Sequence, residues 1–186
     1  SSTACTIAAM KALSSRIILL VAALCLSLSA LGLAHSAYAA NNILLFGDSL
    51  SAGYGIAVAE SWPHLLQQEL QRTHSGYGIV NASISGETTM GGRQRIARTL
   101  QQHRPAIVVV ALGANDGLRG FRPADIEANL SEIIRQAKRA RARVLLVGMR
   151  LPPNYGLTYT EQFQNVFPRL AEKHRVALLP FLLDGV

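Results

Sequence analysis

The residues best suited to chemistry lie at the turn that follows the first short apolar run of the chain. Residues Ile43 to Phe46 form that run, and Gly47, Asp48 and Ser49 follow it directly. A short apolar run bounded by a turn predicts a buried strand. Turns after such strands gather at the carboxyl edge of a parallel sheet, where ligands bind. A serine at that point is placed as a nucleophile would be in an α/β enzyme.

Two further turns supply the partners that a serine nucleophile needs. Gly86 follows the apolar segment 78–81, and Asn115 follows the segment 107–112. Attack on an acyl carbonyl requires donors for the oxyanion that develops, and the N–H groups of Ser49 and Gly86 with the Asn115 amide make three. Glycine lets its backbone N–H approach a ligand closely. Alone, each residue is an ordinary turn or cap residue; their occurrence after three consecutive strands favours catalysis.

The elements that must position these turns alternate regularly from Asn42 onward. Apolar runs predict five strands, and segments with helical periodicity separate them. Alternating strands and helices predict a parallel sheet with right-handed crossovers and helices on both faces. The expected fold is a three-layer α/β/α sandwich in one domain, residues 40–186. The predicted strands are 43–46, 78–81, 107–112, 144–149 and 176–180, and the helical stripes run from Trp62 to Leu70, 92–103, Ile126 to Ala137 and Phe163 to Leu170.

The first 39 residues have the pattern of a secretory signal peptide with a short upstream extension. Lys11 and Arg16 precede the uncharged apolar run 17–33, and small residues at 37 and 39 predict cleavage before Ala40. A membrane anchor is the alternative, but the run is short for one and the cleavage site follows closely. The prediction is a periplasmic or secreted protein. Both cysteines leave with this segment, which excludes a disulfide or a cysteine nucleophile.

The chain is basic, with a formal charge of +7. Removal of Lys11 and Arg16 reduces this by two, 7 − 2, to +5. Much of the remaining excess lies at the end of one predicted helix, where positive charge complements the helix dipole and meets solvent. We therefore expect no nucleic-acid partner, and only a transient attraction to anionic lipid surfaces. The residues concerned are Arg135, Lys138, Arg139, Arg141 and Arg143.

These motifs together resemble the SGNH (GDSL) hydrolases. Residues 47–51, 84–88 and 113–116 are similar to the first three signature blocks of that family. Residues 150–156 and 115–121 are similar to its periplasmic thioesterase/lysophospholipase/arylesterase subfamily. The likeness runs through all of residues 40–186.

The resemblance implies a flavodoxin-like sheet of order 2-1-3-4-5. It implies Ser49 as the nucleophile, and Ser49, Gly86 and Asn115 as the oxyanion hole. The implied activity is hydrolysis of carboxyl esters, acyl thioesters and lysophospholipids through an acyl-enzyme, with no metal or cofactor. Segment 116–121 would then be a mobile loop bordering the acyl groove.

The chain departs from the family at its fourth block, Asp-x-x-His, which normally follows the last strand. Here residues 181–186 follow that strand and contain only Asp184, with no histidine three positions on. His64, His74, His103 and His174 lie in predicted helices or a helix-end loop and are expected to be solvated or capping residues. We therefore expect a sequence truncated before this block, which as written folds poorly and is inert.

Two other classes of protein fit parts of the sequence. A non-catalytic acyl- or lipid-binding protein would keep the groove without the base. A flavodoxin-like cofactor binder would need a glycine-rich phosphate loop after the first strand, and Asp48 at that point would repel phosphate. The codons that follow Val186 would discriminate the hydrolase from the binding protein.

Overall fold

The computed structural model describes residues 42–73 and 76–183, which contain a five-stranded parallel sheet. The order of its strands is β2-β1-β3-β4-β5, and every neighbouring pair is parallel. This confirms the predicted fold class and strand order. The strands are β1 Asn42–Gly47, β2 Gly78–Asn81, β3 Ile107–Ala111, β4 Arg143–Val147 and β5 Ala177–Leu179.

Helices connect the strands, and their packing separates the two faces of the sheet. Helices α3 (Thr89–His103), α5 (Pro123–Arg139) and α7 (Val166–His174) pack side by side against one face, while α2 (Trp62–Thr73) packs against β2. The connection from β1 to β2 moves across the sheet in the opposite direction to the later connections. Because such connections are right-handed, helix α2 lies on the other face of the sheet. The helices are α1 Ser49–Ala52, α2 Trp62–Thr73, α3 Thr89–His103, α4 Ala114–Leu118, α5 Pro123–Arg139, α6 Leu157–Gln164 and α7 Val166–His174; 3₁₀ turns cover Val58–Glu60 and Pro153–Tyr155.

The core is most completely buried on the face covered by three helices. Leu44, Phe46, Val108, Val110 and Leu146 share that face through the strand register, and none of them is exposed to solvent. On the opposite face Ile107 and Leu145 are partly exposed. Apolar burial of this kind is the main stabilising contribution to the sheet, and it makes the strand ends a rigid base for the turns that follow them.

The last predicted helical stripe, from Phe163 to Leu170, is divided between two helices in the structure. The sequence predicted one helix carrying Phe163, Val166, Phe167 and Leu170, but the structure ends α6 at Gln164 and begins α7 at Val166. Pro168 explains the break, because it has no N–H to donate to the carbonyl four residues earlier, at Gln164. The four apolar side chains are nevertheless all buried, as the periodicity predicted.

Smaller differences concern element ends. Strand β3 ends at Ala111, one residue early, and β4 and β5 are shifted or shortened by one to two residues. Helix α5 ends at Arg139, so Arg141 and Arg143, placed at the helix end by the sequence analysis, lie in the following turn and at the start of β4.

None of the helices within residues 42–73 and 76–183 is long and apolar enough to cross a membrane. The predicted signal peptide, residues 1–39, lies outside the described residues, as do His74 and Asp184.

Candidate active site

The turn that carries Ser49, the predicted nucleophile, is a strand that runs directly into a very short helix. Strand β1 ends at Gly47, Asp48 caps the helix by accepting the Leu50 N–H on Oδ1 at 3.1 Å, and Ser49 is the first helical residue. Glycine is required at 47 because a Cβ there would lie 2.8 Å from Ser51 Oγ and 3.0 Å from the Ala111 carbonyl. The serine thus stands at the carboxyl edge of the sheet, as the sequence predicted.

The loop after β2 is tied to this turn through the backbone. The Ile84 N–H donates to the Gly47 carbonyl at 3.0 Å, which continues the β1–β2 pairing past the strand ends. Gly86 follows with a φ of 78°, a conformation that favours glycine. A Cβ on it would meet nothing within 4 Å, so its backbone faces open space. The structure therefore leaves room for a ligand beside Gly86.

Asn115 connects the three turns through hydrogen bonds of its side chain. It lies in α4, after Gly113 and the end of β3, and its Nδ2 donates to the Glu87 carbonyl at 2.9 Å and to Asp48 Oδ2 at 3.4 Å. The first bond fixes the amide against the loop that carries Gly86. The second is long for a hydrogen bond, so a ligand oxygen near Ser49 can compete for that N–H.

Asp48 is a buried carboxylate beside the nucleophile, only 1% exposed. Burial raises the pKa of this carboxyl, the negative charge of Asp116 raises it further, and the Leu50 N–H opposes both effects. From the sequence Asp48 was part of the first signature block and an argument against phosphate, but its bond to Asn115 was not predicted. The signal available was its position immediately before Ser49.

A second buried carboxylate holds the Asn115 turn against helix α3. Asp116 accepts the Thr89 N–H at 2.9 Å and the Thr89 hydroxyl at 2.5 Å. Asn129 Nδ2 donates to the same hydroxyl at 3.2 Å, from helix α5. Buried polar groups that are fully paired specify one arrangement, so this network fixes the direction of the neighbouring Asn115. Sequence reasoning did not find it, because Asp116 read as part of an ordinary turn.

Comparison with known proteins agrees with this geometry. Residues 45–185 match the model of the GDSL-like lipase/acylhydrolase family. The chain belongs to this family.

Individual relatives support the same assignment. The "Arylesterase" of Vibrio mimicus is 44% identical over 154 residues, which span 83% of this chain and 77% of that protein. The "Thioesterase 1/protease 1/lysophospholipase L1" of Escherichia coli K12 is 46% identical over 83% of this chain and 73% of its own length. A crystal structure of AlinE4, described as an SGNH-hydrolase family esterase, superposes with a TM-score of 0.75 at 45% identity, covering 79% of each chain. The resemblance stated from the sequence is thereby confirmed, and the chain is a serine hydrolase of this family.

In this GDSL hydrolase the segment 116–121 is more constrained than the sequence suggested. The segment was expected to be a mobile loop, but Gly117 lies within α4 and is buried; a Cβ there would lie 2.7 Å from Leu151 Cδ2 and 2.8 Å from Phe163 Cε2. The Tyr159 hydroxyl donates to the Phe121 carbonyl at 2.6 Å. Gly117 is therefore required for close packing. Gly120, with φ 71° and no neighbour within 4 Å of a built Cβ, is the residue that turns the chain.

Two of the three histidines that the structure describes are hydrogen-bonded to groups away from the turn that carries Ser49. His64 Nε2 pairs with Gln68 on the same helix at 3.1 Å, and His174 Nε2 pairs with the Ser131 hydroxyl at 2.7 Å. Burial lowers the pKa of His174, and Lys173, Lys138 and Arg135 lower it further. His103 lies in the last turn of α3.

Proposed function

We propose that this hydrolase cleaves carboxyl esters and acyl thioesters with Ser49 as its nucleophile. The observation that carries the proposal is the Asn115 amide, which contacts Asp48 beside Ser49 and Glu87 beside Gly86. These contacts bring a hydroxyl and three N–H donors to one edge of the sheet. Such a set of donors is what acyl transfer requires, because it stabilises the charge that appears on the carbonyl oxygen.

The proposed reaction has two stages. Ser49 Oγ attacks the acyl carbonyl, its proton passes to a general base, and the oxyanion receives bonds from the N–H groups of Ser49 and Gly86 and from Asn115 Nδ2. The protonated base then gives this proton to the oxygen or sulfur of the leaving alcohol or thiol as that bond breaks, leaving an acyl-serine. Water loses a proton to the same base as it attacks this ester, and the acid is released when Ser49 Oγ takes the proton back. We assign the base to none of His64, His103 and His174.

The substrate class follows from the surface beside the site. Leu118, Phe121 and Tyr155 are large apolar side chains left exposed, and the Tyr155 hydroxyl donates to the Leu118 carbonyl at 3.1 Å. An apolar strip beside a nucleophile suits the acyl chain of an ester, a thioester or a lysophospholipid. The names of the relatives, arylesterase and thioesterase/lysophospholipase, support the same range. The last of these substrates would involve brief contact with a lipid surface.

We further infer export to the periplasm. Lys11 and Arg16, the apolar run that follows them and the small residues before Ala40 support it. Amino-terminal sequencing of the protein from a periplasmic fraction tests it, and a mature protein that begins near Ala40 is the expected result.

The experiment for the proposed function compares two serines of one turn. In the protein expressed to the natural stop codon of its gene, Ser49→Ala should lower turnover of p-nitrophenyl butyrate by about four to six orders of magnitude, since loss of a nucleophile removes the whole acyl-enzyme route. Ser51→Ala is the matched control, because the Ser51 hydroxyl is buried and has no hydrogen-bond partner within the described residues. It should retain activity.

Labelling by a fluorophosphonate gives the decisive result. Peptide mapping should place the label on Ser49 in wild type and in Ser51→Ala, and on no residue of Ser49→Ala. A chain that binds acyl ligands but neither turns over esters nor accepts the label would be the non-catalytic binding protein instead. Acyl-CoA thioesters and p-nitrophenyl esters of increasing length, in the same assay, define the substrate range.

A further inference from the structure

Glu87 stands between the two oxyanion donors that lie outside the nucleophile turn. It follows Gly86 directly, and its own carbonyl accepts Asn115 Nδ2 at 2.9 Å. The backbone position of this one residue therefore sets where the Gly86 N–H points and where the Asn115 amide is held.

The Glu87 side chain is fixed against the start of helix α3. Its Oε2 accepts Arg95 Nε at 2.6 Å, and the two side chains are only 12% and 22% exposed. The carboxylate lies over Gly91, where a Cβ would come within 2.0 Å of Oε1. Any other residue at 91 would displace the carboxylate, so glycine at this position allows Glu87 to lie there.

Arg95 extends the connection to the strand that carries the nucleophile. Its guanidinium lies over the Phe46 ring, 4.0 Å from the centroid, and Phe46 is fully buried in β1. A guanidinium at this distance is attracted to the ring and packs flat against it. Arg95 is thus held on one side by β1, three residues before Ser49, and holds the Gly86 loop on the other.

The loop is anchored before Gly86 by the Ile84 N–H, which donates to the Gly47 carbonyl at 3.0 Å, but Gly86 itself is held less firmly. Gly86 has a positive φ and an open surface on the side where a Cβ would stand, and Arg119 reaches its carbonyl only at 3.3 Å from an exposed position. Simple capping of α3 does not explain the pair, because the Thr88 hydroxyl already caps that helix by accepting the Gly91 N–H.

We propose that Glu87 and Arg95 form a positioning pair that aligns the oxyanion donors Gly86 and Asn115 with Ser49. The inference rests on the proposed function for the reaction it serves. Neither side chain touches the reacting atoms; they act through the loop backbone. Misplacing such donors by about 1 Å costs as much as two orders of magnitude in rate.

The kinetic test compares two arginines of helix α3. Arg95→Met keeps the length of the side chain but removes the ion pair, and kcat should fall about 10- to 100-fold with KM unchanged. Arg98→Met, at an exposed position of the same helix, is the control and should retain the wild-type rate. Arg95→Lys should recover part of the loss, since an ammonium can pair with Glu87 but lacks the planar face. Equal rates in Arg95→Met and Arg98→Met, or a rise in KM alone, would overturn the proposal.

A double-mutant cycle separates positioning from general destabilisation. Because Arg95 acts partly through Asn115, Arg95→Met should cost clearly less in the Asn115→Ala background than in wild type. A structural defect would cost the same in both backgrounds, and that result would contradict the assigned role.

A spectroscopic measurement keeps this inference distinct from the proposed function. The Asn115 side-chain amide and the Gly86 N–H, identified in ¹H–¹⁵N spectra by their loss or shift in Asn115→Ala and Gly86→Ala, should move in Arg95→Met and stay in place in Arg98→Met. Absence of ester turnover in wild type would refute the function alone. Unmoved Asn115 and Gly86 signals in Arg95→Met would refute the positioning pair, whether or not the protein is active.

Discussion

The turns at both edges of the sheet contain residues with left-handed backbone, but the residue types differ: glycine at the carboxyl edge and arginine at the amino edge. At the carboxyl edge the positions with positive φ include Gly86, at 78°, and Gly113, at 122°. At the amino edge the turns before β3, β4 and β5 each contain an arginine with positive φ: Arg104 at 41°, Arg141 at 63° and Arg175 at 52°. Left-handed backbone costs a residue with a side chain about 1–2 kcal/mol.

The difference shows what glycine is used for in this protein. At the amino edge the chain only has to reverse after a helix, and an exposed arginine near a helix carboxyl end gains from the helix dipole. At the carboxyl edge a backbone N–H must approach a ligand, or a turn must pack closely, as at Gly113, where a Cβ would lie 3.3 Å from Phe167 Cζ. Substitutions at the carboxyl edge should therefore change catalysis, and those at the amino edge should change stability only.

In this comparison the largest effect is expected from the substitution Asn115→Ala. In the proposed reaction its amide donates to a charge that exists only in the transition state, so kcat should fall by about 10²–10³ while KM stays nearly constant. Steady-state kinetics on p-nitrophenyl butyrate measure both. If KM rises and kcat holds, Asn115 positions the substrate, and its assignment to the oxyanion hole is wrong.

A paired exchange of residue types tests the two edges directly. Gly86→Ala should lower kcat about 10- to 100-fold, because the strained alanine displaces an oxyanion donor without meeting any neighbour. Arg104→Gly should leave kcat unchanged and raise the free energy of unfolding by up to about 1 kcal/mol, since the left-handed cost disappears. Denaturant unfolding and the ester assay measure the two effects. A loss of activity in Arg104→Gly would remove the distinction between the edges.

The smallest effect is expected from Asp48, a carboxyl-edge residue that also affects stability. Because burial raises the pKa of Asp48 in the folded protein, the native state binds more protons than the unfolded state at pH values just above the usual aspartate pKa. Its contribution to the free energy of unfolding should therefore fall as pH rises through that window. Asp48→Asn, which keeps an acceptor for the Leu50 N–H, should flatten this slope.

Asp125 provides a control of opposite sign. Its hydrogen bond to Arg122 lowers the pKa of this exposed carboxyl, so its contribution is present above the usual aspartate pKa and is lost as pH falls. Asp125→Asn should remove that opposite slope. Unfolding curves at several pH values measure both, and an unchanged slope in Asp48→Asn would show that its ionisation is not linked to folding.

Most of the fold was predictable because the periodicity of the hydrophobic residues indicates which segments are strands and which are helices. Five apolar runs predicted five strands within one or two residues at each end, and alternation with helices predicted a parallel sheet. The break at Asn165 was missed because the apolar stripe continues across it, although Pro168 was the available signal. The packing within segment 116–121 was missed because a glycine beside polar turn residues, such as Gly117, looks the same in sequence whether it lies in a mobile loop or at a close contact.

The sequence by itself determined that five parallel strands alternate with helices and, with that, the edge where Ser49, Gly86 and Asn115 lie. Short apolar segments and turn residues encode these features locally, whereas the order of the strands followed only from the resemblance to the family. Only the tertiary structure decided which groups hold that edge together. Asp48, Asp116 and the Glu87–Arg95 pair join residues that are 8 to 67 positions apart. Such contacts depend on burial and on distances between elements, which no local pattern of residue types specifies.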